Sequence, residues 1–555
     1  MNKLTIWLIA LYGFTASAQS LLKYKDEGHS LSPSETRYNQ FHFYSENRML
    51  RTLFAHPVME HVVAQDSLYE SALRSSYVGV NYAAADLPHD FHIFEGNAFQ
   101  NYSVNASGVV SPKGVGTLYG SIEYARGEDQ GIGWSAIRHY DIFTPFLSTD
   151  SIGGDSKWDM YTLRGGYAFS LNRFNLGAEF SYKGEQAYRL TDPRLINTTS
   201  WVDFTTSASY RFDRSIVMLS VGYERTKQYQ TERYWMPGLQ DRFFLTYGFG
   251  MYNDMYSRVS FGYSRMSYIQ GLKLRAAYVH DFGSHSRLTA SMGLYNNELK
   301  TEETSIINLY RSTSTELTPS VEYQTKCGDF DLLLTAEANI RLRTGYENIY
   351  DQVLIDEANN IYDYRLISTR QNYNASNAAA LLQAKPSYRF NAVHKLSLMG
   401  GAYFFQREEE YKAKTHHLLN QWIEPHVGLG YTYEHGASLI DVSLLYSRKI
   451  STDNIYKVNL TSTDKIQYLD FQQAFSPYAF YANEYDALRI HASYVHDLKK
   501  LSIGLRAEAL LKNGHRLDDV RYDGRIGFAS SAPTPTTNPD SFIEQWGKIS
   551  LFVMF

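Results

Sequence analysis

One cysteine stands in 555 residues, so this chain closes no internal disulfide. Cys327 falls in Lys326-Cys327-Gly328-Asp329, a turn, where a spectator thiol is the plain reading. Proline is scarce at 14 residues, and helical periodicity is scarce after residue 74. Beyond the first residues no run of 18 apolar side chains occurs, and the mean hydropathy is −0.38, which excludes spanning helices. Neither sign of charge dominates: 53 Lys and Arg face 58 Asp and Glu, interspersed along the chain, so no nucleic-acid partner is expected. There is no Gly-x-Ser-x-Gly and no phosphate loop. His89-Asp-Phe-His92 and His416-His417 carry ligand-type residues without a third acidic or thiol partner nearby, so no metal or other cofactor is expected. No catalytic residue is assigned, and an enzyme is not expected.

Aromatic residues are plentiful, with 46 Tyr and 30 Phe. They fall in segments of period two. In 201–212, Val202, Phe204, Thr206, Ala208, Tyr210 and Phe212 alternate with Asp203, Thr205, Ser207, Ser209 and Arg211. In 329–343, Phe330, Leu332, Leu334, Ala336, Ala338, Ile340 and Leu342 alternate with Asp331, Thr335, Glu337, Asn339, Arg341 and Arg343. One face is apolar enough for lipid, and the other is too charged for the core of a packed sandwich. Rings with an apolar body and a wet tip suit the interfaces of a membrane wall.

Connections alternate between short and long. Short turns at 171–173, 212–215, 282–286, 326–329, 390–394, 433–438 and 496–500 often follow similar strand ends, such as Tyr210-Arg-Phe-Asp213 and Tyr388-Arg-Phe-Asn391. Long loops are expected at 127–157, 184–200, 227–242, 343–377, 450–486 and 513–545. The pattern predicts a transmembrane antiparallel β-barrel of about twenty strands (18–22), with short periplasmic turns and long extracellular loops. The weakest assignments are the region before 157 and the pair 243–251 and 257–268, which a further expected strand, 271–283, follows. Pro319, Pro386 and Pro425 fall inside strands, where bulges are expected.

The termini agree with a barrel destined for export. Lys3, an apolar run from Leu4 to Phe14 and Thr15-Ala16-Ser17-Ala18 read as a signal peptide over 1–18. Residues 19–74 lack alternation; they form either a hatch in the lumen of the barrel (75–555) or a periplasmic tail or extra strand. The last ten residues, Trp546 to Phe555, alternate and stop on an aromatic carboxy-terminus.

That ending resembles the closing strand of bacterial outer-membrane barrels, in which the terminal aromatic is read by the assembly machinery. With the signal, the Tyr- and Arg-rich hairpins and the long loops, the mature chain resembles uncharacterised outer-membrane β-barrels of Bacteroidota-type bacteria. The resemblance implies outer-membrane lipid and the barrel assembly machinery as partners, with Phe555 as assembly signal. TonB-dependent transporters carry a plug of well over a hundred residues before a 22-strand barrel, and this chain lacks the length; a hatch-bearing fatty-acid-type channel is closer in plan. The leading expectation is a channel or accessory transporter for an unidentified small solute. Its candidate pore-lining residues are Arg164, Glu179, Arg211, Lys273, Arg275, Glu337, Arg341, Arg343, Arg489 and Glu508. The alternative is a non-conducting barrel that binds or assembles through its outer loops.

Overall fold

The computed structural model describes residues 77–554, apart from 88–91, 111–115, 151, 193, 234–242, 254–262, 284–285, 304–306, 357, 359–360, 460–466, 469–470, 499–500, 516–520 and 526–540. The expected signal peptide, the segment 19–74 and Phe555 lie outside the described residues.

Eighteen strands form the wall: β1 (Tyr77–Asp86), β2 (Ala98–Val110), β3 (Thr117–Ile132), β4 (Gly154–Leu171), β5 (Phe174–Arg189), β6 (Arg194–Arg211), β7 (Ser215–Arg233), β8 (Tyr263–Asp281), β9 (Ser286–Glu303), β10 (Ile307–Cys327), β11 (Phe330–Asp356), β12 (Ile361–Arg389), β13 (His394–Tyr411), β14 (His416–His435), β15 (Ser438–Asn459), β16 (Glu484–Asp497), β17 (Ser502–His515) and β18 (Ser541–Met554). Each pairs antiparallel with the next. The ring closes where β18 returns to β1, with Tyr77 opposite Met554 and Asp86 opposite Gln545. A further short strand, Arg521–Arg525, runs parallel to the outer end of β15.

Two of the weak sequence assignments are corrected. The expected strands 257–268 and 271–283 are one strand, β8. Ile269 pairs with Thr226 and Leu299, and Gly271 with Glu224 and Asn297, without a break. The segment 243–251 is not wall. Phe243–Gly248 and Met251–Asn253 belong to a separate sheet, and Leu245, Tyr247 and Met251 pack in a core with Phe146, Phe475 and Tyr478 instead of facing lipid.

Exposure is inverted relative to a water-soluble protein. Val80, Ile122, Leu163, Phe204, Leu274, Leu334, Leu444 and Leu551 point outward and are exposed, while Asn81, Ser103, Thr205, Ser207, Asn339 and Asp441 are buried inside. A closed wall with that polarity satisfies its backbone groups in lipid, and the protein is an outer-membrane β-barrel. At the short-turn end, aromatic columns face outward: Tyr210 with Phe212 at 4.8 Å and Tyr388 with Phe390 at 5.0 Å between ring centroids. His280 and His496 belong to this girdle, bonded to Ser215 Oγ at 2.8 Å and Ser438 Oγ at 3.0 Å. Asp281 instead accepts from Arg287 Nε at 2.6 Å, as alternation requires.

The prolines do not create bulges. Pro319 pairs with Met292, Pro386 with Leu332 and Pro425 with Ala402, while the ladder toward the following strand skips two rungs and resumes in the same register. Proline lacks an N–H for the ladder, yet its φ fits extended chain, so pairing is interrupted locally and the register is kept.

Several expected loops are strand. β11 has 27 residues and β12 has 29, whereas a spanning strand needs roughly 9–11. Wall neighbours accompany them as far as Glu347 and Tyr373; beyond that they pair with each other as a two-stranded ribbon ending at Asp356 and Ile361. Val353, Leu354, Ile355, Leu366 and Ile367 on this ribbon are exposed.

Candidate functional site

The outer connections fold back into the barrel and roof it. The connection between β3 and β4 carries a one-turn helix, α1 (Tyr140–Phe143), and the short strand Ser148–Asp150. That strand joins Phe243–Gly248, Met251–Asn253 and Gln467–Tyr468 in a four-stranded sheet. A helix between β15 and β16, α2 (Phe471–Ala482), packs on β14 and β15. Phe146, Leu245, Met251, Tyr310, Tyr373, Tyr456 and Tyr478 form the apolar core of this roof, with Phe146 stacked on Tyr310 at 4.5 Å.

Polar anchors fix the roof to the wall. Arg189 donates to Asp150 at 2.6 Å, Asn197 to the Ala136 carbonyl at 2.7 Å and Arg265 to the Phe146 carbonyl at 2.8 Å. Arg343 donates to the carbonyls of Asp141 and Thr144 at 3.1 and 2.9 Å, the exposed carbonyl end of α1. Arg138 pairs with Asp129 at 3.0 Å and also with Glu185, whose other oxygen meets His139 Nε2 at 2.8 Å. Removing one partner of a buried ion pair strands the other, at a cost of about 3–5 kcal/mol. A Glu185→Ala variant is therefore expected to loosen the roof while leaving the wall assembled, seen as faster proteolysis in the 133–150 connection.

Burial lowers the His139 pKa to about 4; Glu185 opposes the shift, while Lys183 and Arg138 add to it. A detached loop would titrate near ~6.5. The detached state binds the proton first, so roof docking weakens as pH falls from that value toward 4. Ion conductance through the barrel is expected to rise over this interval, and a His139→Gln variant should flatten the response.

Beneath the roof lies a chamber of about 340 Å³. Its wall is a ladder of paired charges. Lys273 Nζ sits between Asp203 and Glu224, the latter at 2.6 Å. Arg341 meets Glu316 at 2.5 Å, and Arg407 Nε donates to Glu409 at 2.6 Å. Aromatic rings from wall and roof complete it, including Tyr140, Trp201, Phe405 and Tyr481.

Of the sequence-predicted lining residues, Lys273, Arg341 and Arg343 meet at this chamber. Arg164 and Glu179 face each other elsewhere on the wall as a two-pronged pair, 2.9 Å on both prongs, with Tyr119 Oη donating to Glu179 at 2.5 Å. The Tyr119 ring lies over Gly166 where a Cβ would collide with it. A Gly166→Val variant should therefore displace Tyr119 and slow barrel assembly, visible as a larger unfolded fraction in gel-shift assays. Arg275 donates to Ser291 Oγ at 3.2 Å. Glu337 lies opposite Ser320 and Leu381, Arg489 opposite Leu445 and Leu510, and Glu508 opposite Lys548 and His491. Arg211 is exposed at the short-turn rim.

Sequence reading missed Glu224, Glu316, Arg407 and Glu409 as chamber residues, although each sits on the polar face of an alternating strand. His92 and Tyr140 come from connections, where no periodicity marks them. His92 packs against the stacked rings of Phe94 and Tyr140, and burial, aided by the charge of Arg407, holds its pKa well below the ordinary value. His89 lies outside the described residues. His417 Nε2 is 3.0 Å from Glu408, and the ligand atoms of Glu408, Glu410 and His417 lie within 4.8 Å of one another at the outer end of β13 and β14.

The fold and chamber together define a roofed outer-membrane β-barrel. Within that class, the chain belongs to the family described as a family of unknown function (DUF6850), whose match spans residues 68–528. No curated protein matches the chain in sequence. Among solved structures it is similar to the FrpB iron transporter from Neisseria meningitidis (F3-3 variant), at 10% identity and a TM-score of 0.40, covering 90% of this chain and 83% of that one. It is also similar to BauA, the ferric preacinetobactin receptor from Acinetobacter baumannii, at 9% identity and a TM-score of 0.37, covering 87% and 80%. Likeness at this level carries no argument about function; the fold rests on the closed ladder of the chain itself.

Proposed function

We propose that this barrel passes a small polar solute across the outer membrane, acting as a channel or accessory transporter without catalysis. The observation that carries the reading is the roofed chamber: a polar lumen, charged on its wall, with its mouth covered by the chain's own outer loops. A solute enters when the roof shifts, and the charged rows of the wall sort what passes. Outer-membrane lipid surrounds the apolar belt, the barrel assembly machinery inserts it, and nucleic acid has no place in the scheme.

The test is conductance in planar bilayers. Intact protein should give small, pH-sensitive steps. Lys273→Gln leaves Asp203 and Glu224 without their cation, so its reversal potential should shift toward cation preference. Silence from both proteins, correctly folded, would favour the second reading, a barrel that binds or assembles at the cell surface. The exposed apolar residues of the β11–β12 ribbon speak for that alternative.

A further inference from the structure

We infer that the chamber binds a neutral, hydroxyl-rich solute of one or two sugar rings, an inference that rests on the chamber being the solute site. Its fixed cations are already engaged: Lys273 has Asp203 and Glu224, Arg341 has Glu316, Arg407 has Glu409, and Arg343 is held by the carbonyls of Asp141 and Thr144. An ionic solute would have to displace one member of a buried contact, whereas a neutral one leaves these contacts standing.

What remains for a ligand is a set of buried atoms without hydrogen-bond partners among the described residues. They are His92 Nδ1, Asn377 Oδ1, Glu316 Oε2 and Arg407 Nη1, all on residues lining the chamber. His92, Glu316 and Arg407 are 2%, 4% and 7% exposed, so water does not reach them freely. Arg407 Nη1 is a donor, Asn377 Oδ1 and Glu316 Oε2 are acceptors, and neutral His92 Nδ1 is either. A ligand that answers such a mixture must donate and accept at neighbouring positions, which is what a row of hydroxyls does.

The remaining lining supports the same class. Phe405 and Tyr481 stack at 5.7 Å with 16° between their planes, and Arg407 lies 4.6 Å from the Tyr481 centroid. This near-parallel ring pair beside a planar guanidinium offers C–H faces a packing surface and ring hydroxyls a set of fixed partners. At about 340 Å³ the chamber sits at the small end of ligand pockets, which suits one or two rings and excludes long chains.

The test uses the full-length protein in detergent, titrated calorimetrically with maltose, sucrose and lactose, with gluconate as an anionic sugar derivative and with a zwitterionic dipeptide. At least one neutral disaccharide should bind saturably and more tightly than gluconate or the dipeptide. Asn377→Leu and His92→Phe should each weaken that binding about tenfold, while heat-modifiable migration shows the barrel intact. No saturable binding of any disaccharide, tighter binding of either charged probe, or disaccharide binding indifferent to both variants would each overturn the inference. Conductance is measured separately. A barrel that conducts without binding sugar refutes this inference alone, and one that binds sugar without conducting refutes the transport reading alone.

Discussion

Replacing residues 134–152 with a short glycine–serine turn is expected to yield a barrel that still closes and conducts many-fold better than the intact protein. The wall does not depend on this connection for its hydrogen bonds. β3 and β4 pair from Thr117 opposite Ala168 to Asp129 opposite Ser156, below the excised segment. What the deletion removes is α1, one edge of the roof sheet and Phe146, a central ring of the roof core. Barrels of this strand number enclose an aqueous channel when nothing fills them. Arg189, Arg265 and Arg343 lose their roof partners but gain access to water, so their cost is smaller than for a sealed charge. Single-channel recording checks the outcome, and unchanged conductance would show that the roof is not the constriction.

Leu334→Arg is expected to destabilise the barrel by roughly 2–4 kcal/mol, the cost of a cation facing lipid near the bilayer midplane. Leu334 points outward, is 40% exposed and lies four residues above the short-turn end of β11. Glu337→Gln, three residues further on and facing inward beside Arg275, keeps the size and hydrogen-bonding atoms of the side chain and places no charge in lipid, so it should assemble far better than Leu334→Arg. Urea unfolding from liposomes, read by gel migration, separates the two. Equal destabilisation would mean that the two faces are exchanged.

Why one face was legible and the chamber was not follows from the range of the signals. Alternation is local: Phe204 beside Thr205, or Leu334 beside Thr335, declares which side meets lipid without knowledge of any partner strand. The same local signal shows Lys273 and Glu224 to be inward residues. Their meeting depends on the register between β7 and β8, which no short stretch of sequence states. The break expected near Ile269 reflects the same limitation, because a glycine and a glutamine look like a turn until both neighbouring strands are seen to run past them. The roof was harder still. Residues 133–150 and 243–253 hold their places through tertiary contacts, and the apolar run Phe243-Phe-Leu mimics a wall strand. Loop boundaries drawn from the membrane span alone mistake strand that continues into water, as in β11 and β12, for loop.

Wall height varies around the ring. β16, β17 and β18 have 14 residues each, and β12 has 29. At ~3.3 Å per residue and ~40° of tilt, that surplus amounts to roughly 40 Å along the barrel axis. The tip of the ribbon is the outermost landmark of the molecule among its described residues, while its base is tied to the roof core through Tyr350. An epitope inserted after Asp356 would be displayed to the medium without touching Lys273, Arg341 or the roof. Surface labelling and the proposed solute passage can thus be addressed independently on one molecule, the first at a tall hairpin and the second at the recessed chamber.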